Sequence, residues 1–312
     1  MSQMLAFVFP GQGSQQLGML ADLATSHSII KETFAEASEA LGYDLWSLVQ
    51  QGPEERLNAT EVTQPALLTA SVALWRLWLQ QGGTKPAVMA GHSLGEYSAL
   101  VCANSLSLAT AVKLVQLRGE LMQKAVPAGT GAMAAILGLD DAGVADACQL
   151  ASQGQVVAPV NFNCPGQVVI AGEKNAVSRA MEACKAAGAK RALPLAVSVP
   201  SHCLLMEPIA DEMAKALEKI ELKMPIIPVI QNVKAQVSKD VDQLRENLVS
   251  QLYNPVLWTD SVKQMTLQGA GLMVECGPGK VLCGLNKKID KSLEVVSLTD
   301  SANFEKALSL VK

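Results

Sequence analysis

The stretch Gly91-His92-Ser93-Leu94-Gly95 fits the pattern Gly-x-Ser-x-Gly and largely decides the fold of this chain. An apolar run, Ala87–Ala90, precedes it and predicts a buried strand, while Tyr97–Asn104 has the pattern of a helix. In a sharp turn from strand to helix, flanking glycines avoid a Cβ clash and the serine oxygen becomes exposed at the edge of the sheet. A Gly/Ser turn can match so short a pattern by chance, but the flanking strand and helix favour Ser93 as a nucleophile.

A serine hydroxyl needs a base at neutral pH, and the chain has three histidines that could serve. His27 lies in the polar stretch Thr25-Ser26-His27-Ser28, which is typical of a solvated turn or a helix cap. His92 adjoins the nucleophile, but successive side chains of an extended segment point apart. His202, in Val199-Pro200-Ser201-His202-Cys203, is left as the predicted base, although a histidine taken at random is more often packed or solvated than catalytic.

The sequence supplies no acidic partner for His202. Serine hydrolases with this motif order their residues as serine, acid and histidine along the chain. The acidic residues considered between Ser93 and His202 are Asp140, Asp141, Asp146 and Glu173. None of them carries a motif, and all lie in a segment whose pattern differs from its surroundings, so the third member stays open.

That segment, Gly129–Leu195, has its own order of strands and helices. The predicted elements are a strand at Ala132–Leu139, a helix at Asp141–Gln153, strands at Val156–Asn161 and Gln167–Ala171, a helix at Ala176–Gly188 and a strand at Arg191–Val197. The order βαββαβ is the split-βαβ, or ferredoxin-like, pattern. Outside the segment, the sequence predicts a strand at Leu5–Phe9, a long helix at Gln64–Gln81, a strand at Leu272–Glu275 and a tight turn at Gly277-Pro278-Gly279.

Composition excludes several classes of protein. With 312 residues, 49% of them hydrophobic, the chain can bury a sizeable α/β core, and no stretch reaches the roughly 18 apolar residues of a membrane helix. Met1–Phe9 lacks the basic start and cleavage site of a signal peptide, and the seven cysteines are dispersed with no C-x-x-C pair. We therefore expect a cytoplasmic monomer without metal, cofactor or membrane contact. A net charge of −4 without a long basic run argues against nucleic acid as a partner.

Two glycine-rich stretches do not complete a nucleotide-binding motif. Gly11-Gln12-Gly13 has Gln16 where a dinucleotide fingerprint needs its third glycine. Gly279-Lys280 is followed by Val281, and Val274 stands where a phosphate-binding P-loop has its first glycine. Neither stretch therefore indicates a nucleotide cofactor.

Taken together, six motifs resemble the malonyl-CoA:acyl carrier protein transacylases of the bacterial dissociated fatty-acid synthesis system. They are Phe9-Pro10-Gly11-Gln12-Gly13-Ser14-Gln15, Thr63-Gln64-Pro65-Ala66, Gly91-His92-Ser93-Leu94-Gly95-Glu96, Gln116-Leu117-Arg118-Gly119, Val199-Pro200-Ser201-His202 and Glu275-Cys276-Gly277-Pro278-Gly279. The resemblance covers essentially the whole chain. It implies an α/β-hydrolase-like catalytic domain, residues 1–128 and 199–312, that carries a ferredoxin-like insertion, residues 129–198.

The resemblance also implies a role for each residue of the reaction centre. Ser93 is expected to carry the acyl group and His202 to act as its base. In this family a main-chain carbonyl, matched here by Gln251, holds the histidine in place of a carboxylate. A neutral acceptor still fixes the tautomer, although it stabilises the imidazolium less than a charge does.

Three further residues are assigned to substrate on the same grounds. Arg118 is expected to bind the malonyl carboxylate, because a guanidinium offers two parallel hydrogen bonds and stays charged when desolvated. Without the resemblance, an ordinary arginine on a helix surface would be the favoured interpretation of Arg118. The backbone N–H groups of Gln12 and Leu94 are expected to form the oxyanion hole that the tetrahedral intermediate needs.

The implied activity is transfer of a malonyl group from malonyl-CoA to the phosphopantetheine thiol of acyl carrier protein. A serine thioesterase or esterase is one alternative, since water competes for any acyl-serine; a charged clamp at Arg118 argues against a general esterase. A second is the same reaction with another acyl group such as methylmalonyl, for which Ser201 before His202 could widen the pocket. A non-catalytic domain is disfavoured by the joint presence of Ser93, His202 and Arg118.

Overall fold

The computed structural model describes residues 4–127, 129–197 and 199–311, which form a mixed α/β structure with two sheets. The strands are β1 (Met4–Phe9), β2 (Val88–Gly91), β3 (Gly131–Leu137), β4 (Val157–Cys164), β5 (Gln167–Glu173), β6 (Arg191–Pro194), β7 (Val229–Gln231), β8 (Gln236–Val237), β9 (Ala270–Glu275) and β10 (Glu294–Ser297). The helices are α1 (Ala21–Ser26), α2 (Ser28–Leu41), α3 (Leu45–Gln51), α4 (Glu54–Leu57), α5 (Thr60–Gln80), α6 (Gly95–Cys102), α7 (Leu108–Ala125), α8 (Asp141–Ser152), α9 (Lys174–Ala186), α10 (Ala210–Glu218), α11 (Val241–Ser250), α12 (Trp258–Leu267), α13 (Val281–Ile289) and α14 (Ser301–Val311). A 3₁₀ helix, Leu204–Ile209, precedes α10. No helix of the described ranges is long and apolar enough to cross a membrane.

The larger sheet has the strand order β10-β9-β1-β2-β7-β8. Its first five strands are parallel, and β8 alone pairs antiparallel to its neighbour. Parallel sheets need cover on both faces, which explains why β1 is apolar throughout. Leu5, Phe7 and Phe9 belong to the core on one face of β1, while Ala6 and Val8 belong to the core on the other.

Two long helices, α5 and α7, pack on the first of these faces and carry polar residues of the site. Trp75 and Trp78 of α5 meet the Phe7 ring edge to face, with centroids 5.4 and 5.2 Å apart. The two helices approach so closely that a Cβ on Gly119 would lie 2.6 Å from the Glu61 Cα atom. This packing fixes the position of α7, which presents Arg118 to the interior.

The smaller sheet is antiparallel, with the strand order β4-β5-β3-β6. Its outer face is covered by α8 and α9, whose apolar residues include Val144, Ala147, Val177 and Ala180. The opposite face contributes Met133, Val160, Val169 and Ala171 to a core shared with Cys203. Hence one face of this sheet closes over the segment that holds His202.

The predicted elements of this segment are present in the predicted order, with shifted bounds. The last strand is the clearest error, because β6 ends at Pro194 and not at Val197. The two proposed junctions, Ala128 and Ser198, lie outside the described residues. In the larger sheet, the sequence prediction missed β7, β8 and β10, which have only two to four residues each.

The turn around Ser93 depends on Gly91 and Gly95, which lie where the ends of β1 and β2 meet the start of α6. A Cβ on Gly91 would lie 1.9 Å from the carbonyl carbon of Gly95. A Cβ on Gly95 would lie 2.0 Å from the carbonyl oxygen of Phe9. Both neighbours are backbone atoms, so no rotamer change can relieve the overlap.

We expect Gly95→Ala to lower the free energy of unfolding by about 3 kcal/mol or more, because backbone must move to admit the methyl group. Gly284→Ala is the control: Gly284 lies within α13 with no atom within 4 Å of its would-be Cβ. That change is expected to raise stability by about 0.5–1 kcal/mol, the usual gain from alanine in a helix. Urea unfolding measures both; equal effects of the two changes would contradict the close approach.

Candidate active site

Ser93 lies in the turn between β2 and α6, at a φ of 52°. Few residues other than glycine adopt this left-handed conformation, so neighbouring contacts have to hold it. The side chain of Asn232 does so from both sides: its Oδ1 accepts from Ser93 N at 2.7 Å, and its Nδ2 donates to the Gly91 carbonyl at 2.6 Å. The turn is therefore fixed by a residue 139 positions further along the chain.

The His202 ring connects Ser93 to the C-terminal end of α11. Its Nε2 lies 2.8 Å from Ser93 Oγ, and its Nδ1 lies 2.7 Å from the main-chain oxygen of Gln251. A carbonyl can only accept, so Nδ1 carries the hydrogen and Nε2 is free to accept from the Ser93 hydroxyl. This is the tautomer that a general base for Ser93 needs.

Burial and charge keep His202 neutral. The ring is 3% exposed. Burial, followed by the nearby positive charge of Arg118, lowers the pKa of His202 to about 3, against the opposing effect of the Gln251 carbonyl. None of the acidic residues considered from the sequence contacts His202; Asp140, for example, caps α8, and Glu173 binds Gln155 and the Val156 N–H. The base is therefore oriented without a carboxylate contact.

Arg118 is buried beside this pair, with 1% of its surface exposed. Its Nη1 donates to Gln64 Oε1 at 2.9 Å, and its Nη2 donates to Gln251 Oε1 at 3.0 Å and, weakly, to Ser93 Oγ at 3.4 Å. The guanidinium carbon also lies 5.6 Å from the ring centroid of Tyr97. In the described part of the chain, no carboxylate lies within salt-bridge distance of Arg118, and its Nε has no hydrogen-bond partner. A buried cation held only by neutral groups is costly, because no opposite charge compensates for its desolvation.

Gln12 and Leu94 line the same cleft. Gln12 lies in the loop after β1, and Leu94 directly precedes α6. Neither N–H donates to another group within the described residues. Both N–H groups therefore keep an unused donor among the described residues.

The cleft lies between the two sheets and has a volume of about 110 Å³. Its polar lining consists of Gln12, Gln64, His92, Ser93, Arg118, Asn161, Ser201 and His202. Its apolar lining consists of Leu94, Met122, Met133, Leu195, Val197 and Val199. A neighbouring cleft of about 240 Å³ shares Gln12, His92, Asn161 and Leu195 and extends to α13. A larger groove of about 640 Å³, between α7 and α10, contains none of the predicted site residues.

The other two histidines do not contact the Ser93 hydroxyl. His92 Nε2 lies 2.8 Å from Asn163 Oδ1, its ring packs near Trp258, and burial lowers its pKa. His27 lies between α1 and α2. Within the described residues, no group of three His, Cys, Asp or Glu side chains is arranged to hold a metal ion.

Sequence reasoning missed four side chains that support the site. Gln251 was assigned only through its carbonyl, yet its side chain also binds Arg118 and the Ser93 carbonyl. Gln64 and Glu96 stood inside recognised motifs without a role, and Asn232 stood in none. Two sequence signals could have indicated a role in the site. Gln64 directly precedes Pro65, and Glu96 directly follows the Gly-x-Ser-x-Gly pattern.

Comparison with known proteins identifies the family. A model of the acyl transferase domain matches residues 6–299. The chain is 64% identical over 305 residues to the malonyl CoA-acyl carrier protein transacylase of Escherichia coli (strain K12). This alignment covers 98% of this chain and 99% of the relative. This chain belongs to the malonyl CoA-acyl carrier protein transacylases of the acyl transferase family. The transacylase of Bacillus subtilis (strain 168) is 44% identical over 309 residues, or 99% of this chain and 97% of the relative.

Solved structures of this transacylase family have the same architecture. An acyl carrier protein S-malonyltransferase from Vibrio cholerae superposes with a TM-score of 0.95 at 62% identity, over 97% of this chain and 99% of the other. A malonyl-transacylase solved in complex with its type II polyketide acyl-carrier protein gives a TM-score of 0.97 at 60% identity, over 98% and 99% of the two chains. The agreement supports the mixed α/β fold with its two sheets.

We expect the His202 ring to stay neutral, with its hydrogen on Nδ1, between about pH 5 and 8, where an unperturbed histidine titrates. Because its folded pKa is depressed, the unfolded chain binds the proton more readily, so this residue lowers stability as the pH falls from about 6.5 towards 3. Nitrogen-15 NMR of the labelled ring reports both tautomer and charge. Titration of His202 near its unperturbed pKa would contradict the buried arrangement.

Proposed function

We propose that this chain transfers a malonyl group from malonyl-CoA to the phosphopantetheine thiol of acyl carrier protein through a malonyl ester of Ser93. One observation carries the proposal: the Ser93–His202 pair, 2.8 Å apart, shares a small cleft with a buried arginine that has no carboxylate partner among the described residues. The relatives' names describe the same reaction.

In the first half of the reaction, Ser93 Oγ attacks the thioester carbonyl while His202 Nε2 takes the hydroxyl proton. The carbon–sulfur bond then breaks, and coenzyme A leaves with the proton from His202. In the second half, the carrier thiol gives its proton to His202 and its sulfur attacks the ester carbonyl. Ser93 Oγ leaves and recovers the proton, so the chain returns to its starting state.

Both tetrahedral intermediates carry negative charge on the former carbonyl oxygen. The N–H groups of Gln12 and Leu94 are proposed to donate to this oxygen, since both residues line the cleft and neither N–H has another acceptor among the described residues. Removal of one such donor typically costs about 3–4 kcal/mol of transition-state stabilisation. Fixed donors are effective because they need no reorganisation as the charge develops.

Arg118 is proposed to bind the malonyl carboxylate. Its Nε–H lacks a partner, and its Nη2 contact with Ser93 Oγ is long, so donors remain for a charge-assisted pair with a ligand next to the nucleophile. Gln64 and Gln251 hold the guanidinium in place without neutralising it. A general esterase for neutral esters would gain nothing from this buried charge.

The finer description of the fold is also a proposal. The main part, residues 1–128 and 199–312, is α/β-hydrolase-like, which the nucleophile turn after a central parallel strand supports. The inserted part, residues 129–198, is ferredoxin-like, which its βαββαβ order and two helices on one face support. A cytoplasmic location stays a prediction, supported by seven cysteines that are free thiols.

The two-step mechanism predicts a malonyl adduct on Ser93 when the protein is mixed with malonyl-CoA. Ser93→Ala should abolish the adduct, because it removes the hydroxyl group. It should leave the far-UV circular dichroism spectrum unchanged, because it removes no other group. Intact-protein and peptide mass spectrometry detect the adduct, and holo acyl carrier protein should discharge it faster than water does. Labelling of the Ser93→Ala protein would show that the nucleophile is misassigned; faster discharge by water would favour the thioesterase.

The proposed ion pair between Arg118 and the malonyl carboxylate predicts that Arg118→Ala lowers malonyl transfer far more than acetyl transfer. Removing one partner of a buried pair costs roughly 3–5 kcal/mol, which corresponds to about two to four powers of ten in rate if expressed in the transition state. Arg118→Lys should restore only part of the malonyl-transfer rate, because an ammonium is a point charge and cannot donate two parallel hydrogen bonds to a carboxylate.

The measurement is the ratio of malonyl to acetyl transfer for each variant. Lys113→Ala, an exposed change on the same helix, is the control and should keep the wild-type ratio. If Arg118→Ala also kept that ratio, acyl selectivity would lie elsewhere in the cleft.

A further inference from the structure

Glu96 is a fully buried carboxylate directly behind the nucleophile turn. Its Oε2 accepts from the Asn232 backbone N–H at 2.8 Å and from Gln251 Nε2 at 3.2 Å, and its Oε1 accepts from Gln231 Nε2 at 3.3 Å. All three neighbours are donors, and all belong to segments more than 130 residues away in sequence. The carboxylate thus joins α6 to β7 and to the end of α11.

Two of these neighbours hold the reacting residues. Asn232 fixes the left-handed turn at Ser93 through both atoms of its amide. Gln251 holds His202 Nδ1 with its carbonyl and Arg118 Nη2 with its side-chain oxygen. Glu96 therefore contacts the two residues that position Ser93, His202 and Arg118, while it contacts none of those three side chains itself.

The orientation of the Gln251 amide depends on an acceptor behind it. An amide side chain can present either its oxygen or its NH₂ group in a given direction. With Nε2 facing the Glu96 carboxylate and the Ser93 carbonyl, both of which only accept, Oε1 must face Arg118. A reversed amide would direct an NH₂ group at a guanidinium, which has no acceptor.

We propose that Glu96 is a positioning residue for acyl transfer, which as a carboxylate holds Asn232 and the Gln251 amide in the orientation that places Ser93, His202 and Arg118 for reaction. The proposal rests on the proposed function of the site. It assigns no contact with substrate to Glu96. Its effect passes through the two amide residues.

The protonation state of Glu96 makes this role measurable. Burial raises the pKa of Glu96 to about 7, opposed by the three amide donors and by the charge of Arg118 on α7. Among the described residues, Tyr97 on the same helix also interacts with Glu96, and burial keeps the phenol neutral by raising its pKa to about 12. A protonated carboxyl presents an O–H to neighbours that are all donors, so the arrangement weakens as the pH falls below about 7.

Ionisation of Glu96 has opposite effects on the stability of the fold and on the expected acylation rate. The folded pKa of Glu96 lies above its ordinary value of 4.5, so the folded chain holds the proton more tightly than the unfolded chain. Ionisation of Glu96 therefore lowers the free energy of unfolding as the pH rises from about 4.5 to 7. A residue retained only for stability would show no matching gain in acylation rate over this range.

The test is the single-turnover rate of Ser93 acylation by malonyl-CoA, measured against pH in wild type and in Glu96→Gln. The isosteric amide keeps one oxygen but loses the charge and places an NH₂ group among donors. We expect the maximal rate of the variant to fall about ten- to hundredfold at pH above 7, the range expected for a small misplacement of reacting groups. The wild-type rate should decline towards that of the variant as the pH falls, while the rate of Glu96→Gln stays flat.

Glu275→Gln is the matched control, because Glu275 is equally buried, also has a raised pKa and accepts hydrogen bonds at the start of α13, among them those from the N–H groups of Leu282 and Cys283. Its acylation rate and pH profile should equal those of wild type. If Glu96→Gln does not fold, Gln231→Met replaces it. That change removes one hydrogen-bond donor to the Glu96 carboxylate and should raise its pKa further. The decline in the acylation rate should therefore move to higher pH.

Parallel pH profiles for wild type and Glu96→Gln, or an unchanged rate in that variant, would overturn the proposal. An unmoved profile in Gln231→Met would do the same. Absence of any malonyl adduct on wild-type Ser93 would instead contradict the proposed function, so the two failures are distinguishable.

Discussion

The hydrogen bond between His202 Nδ1–H and the main-chain oxygen of Gln251 is the interaction on which the proposed chemistry depends. It fixes the tautomer whose free Nε2 meets Ser93 Oγ. Gln251 caps the C-terminal end of α11, where helix carbonyls carry a partial negative charge. In the proposed mechanism, this charge helps to stabilise the imidazolium that forms when Ser93 attacks. A thiol leaving group, with an ordinary pKa near 8.5, also needs less assistance than an amine does.

The fold brings together residues that are far apart in sequence. Ser93 and His202 are separated by 109 positions, and the smaller sheet lies between them in the chain. The inner face of that sheet supplies Met133 to the wall of the cleft, so this sheet both separates the two residues in the chain and closes the cleft over them. Enclosure strengthens each electrostatic contact within the cleft, including those of Arg118. It also limits the access of water to an ester on Ser93.

The parts of the site that could be predicted are those with a local pattern. Gly-x-Ser-x-Gly identifies Ser93 because strand, turn and helix follow one another in the chain. His202 follows by elimination among three histidines. Arg118 has no such signal: its burial results from the packing of α7 on α5, and only the family resemblance singled it out.

The contacts made by Asn232, Glu96 and the side chain of Gln251 could not be predicted, because each spans more than 130 positions. The same limit explains the missed strands. The residues of β7, β8 and β10 are too few to show a period, and they are strands only because neighbouring strands of the sheet pair with them. The predicted end of β6 was wrong for a related reason: the apolar run continues to Val197, but Leu195 and Val197 line the cleft.

The crystal structure of the protein trapped after reaction with malonyl-CoA would test the account most directly. We expect density for a malonyl ester on Ser93 Oγ, with the free carboxylate within hydrogen-bond distance of Arg118. The ester carbonyl oxygen should face the backbone N–H groups of Gln12 and Leu94. An ester on another residue, or a carboxylate directed away from Arg118, would contradict the account.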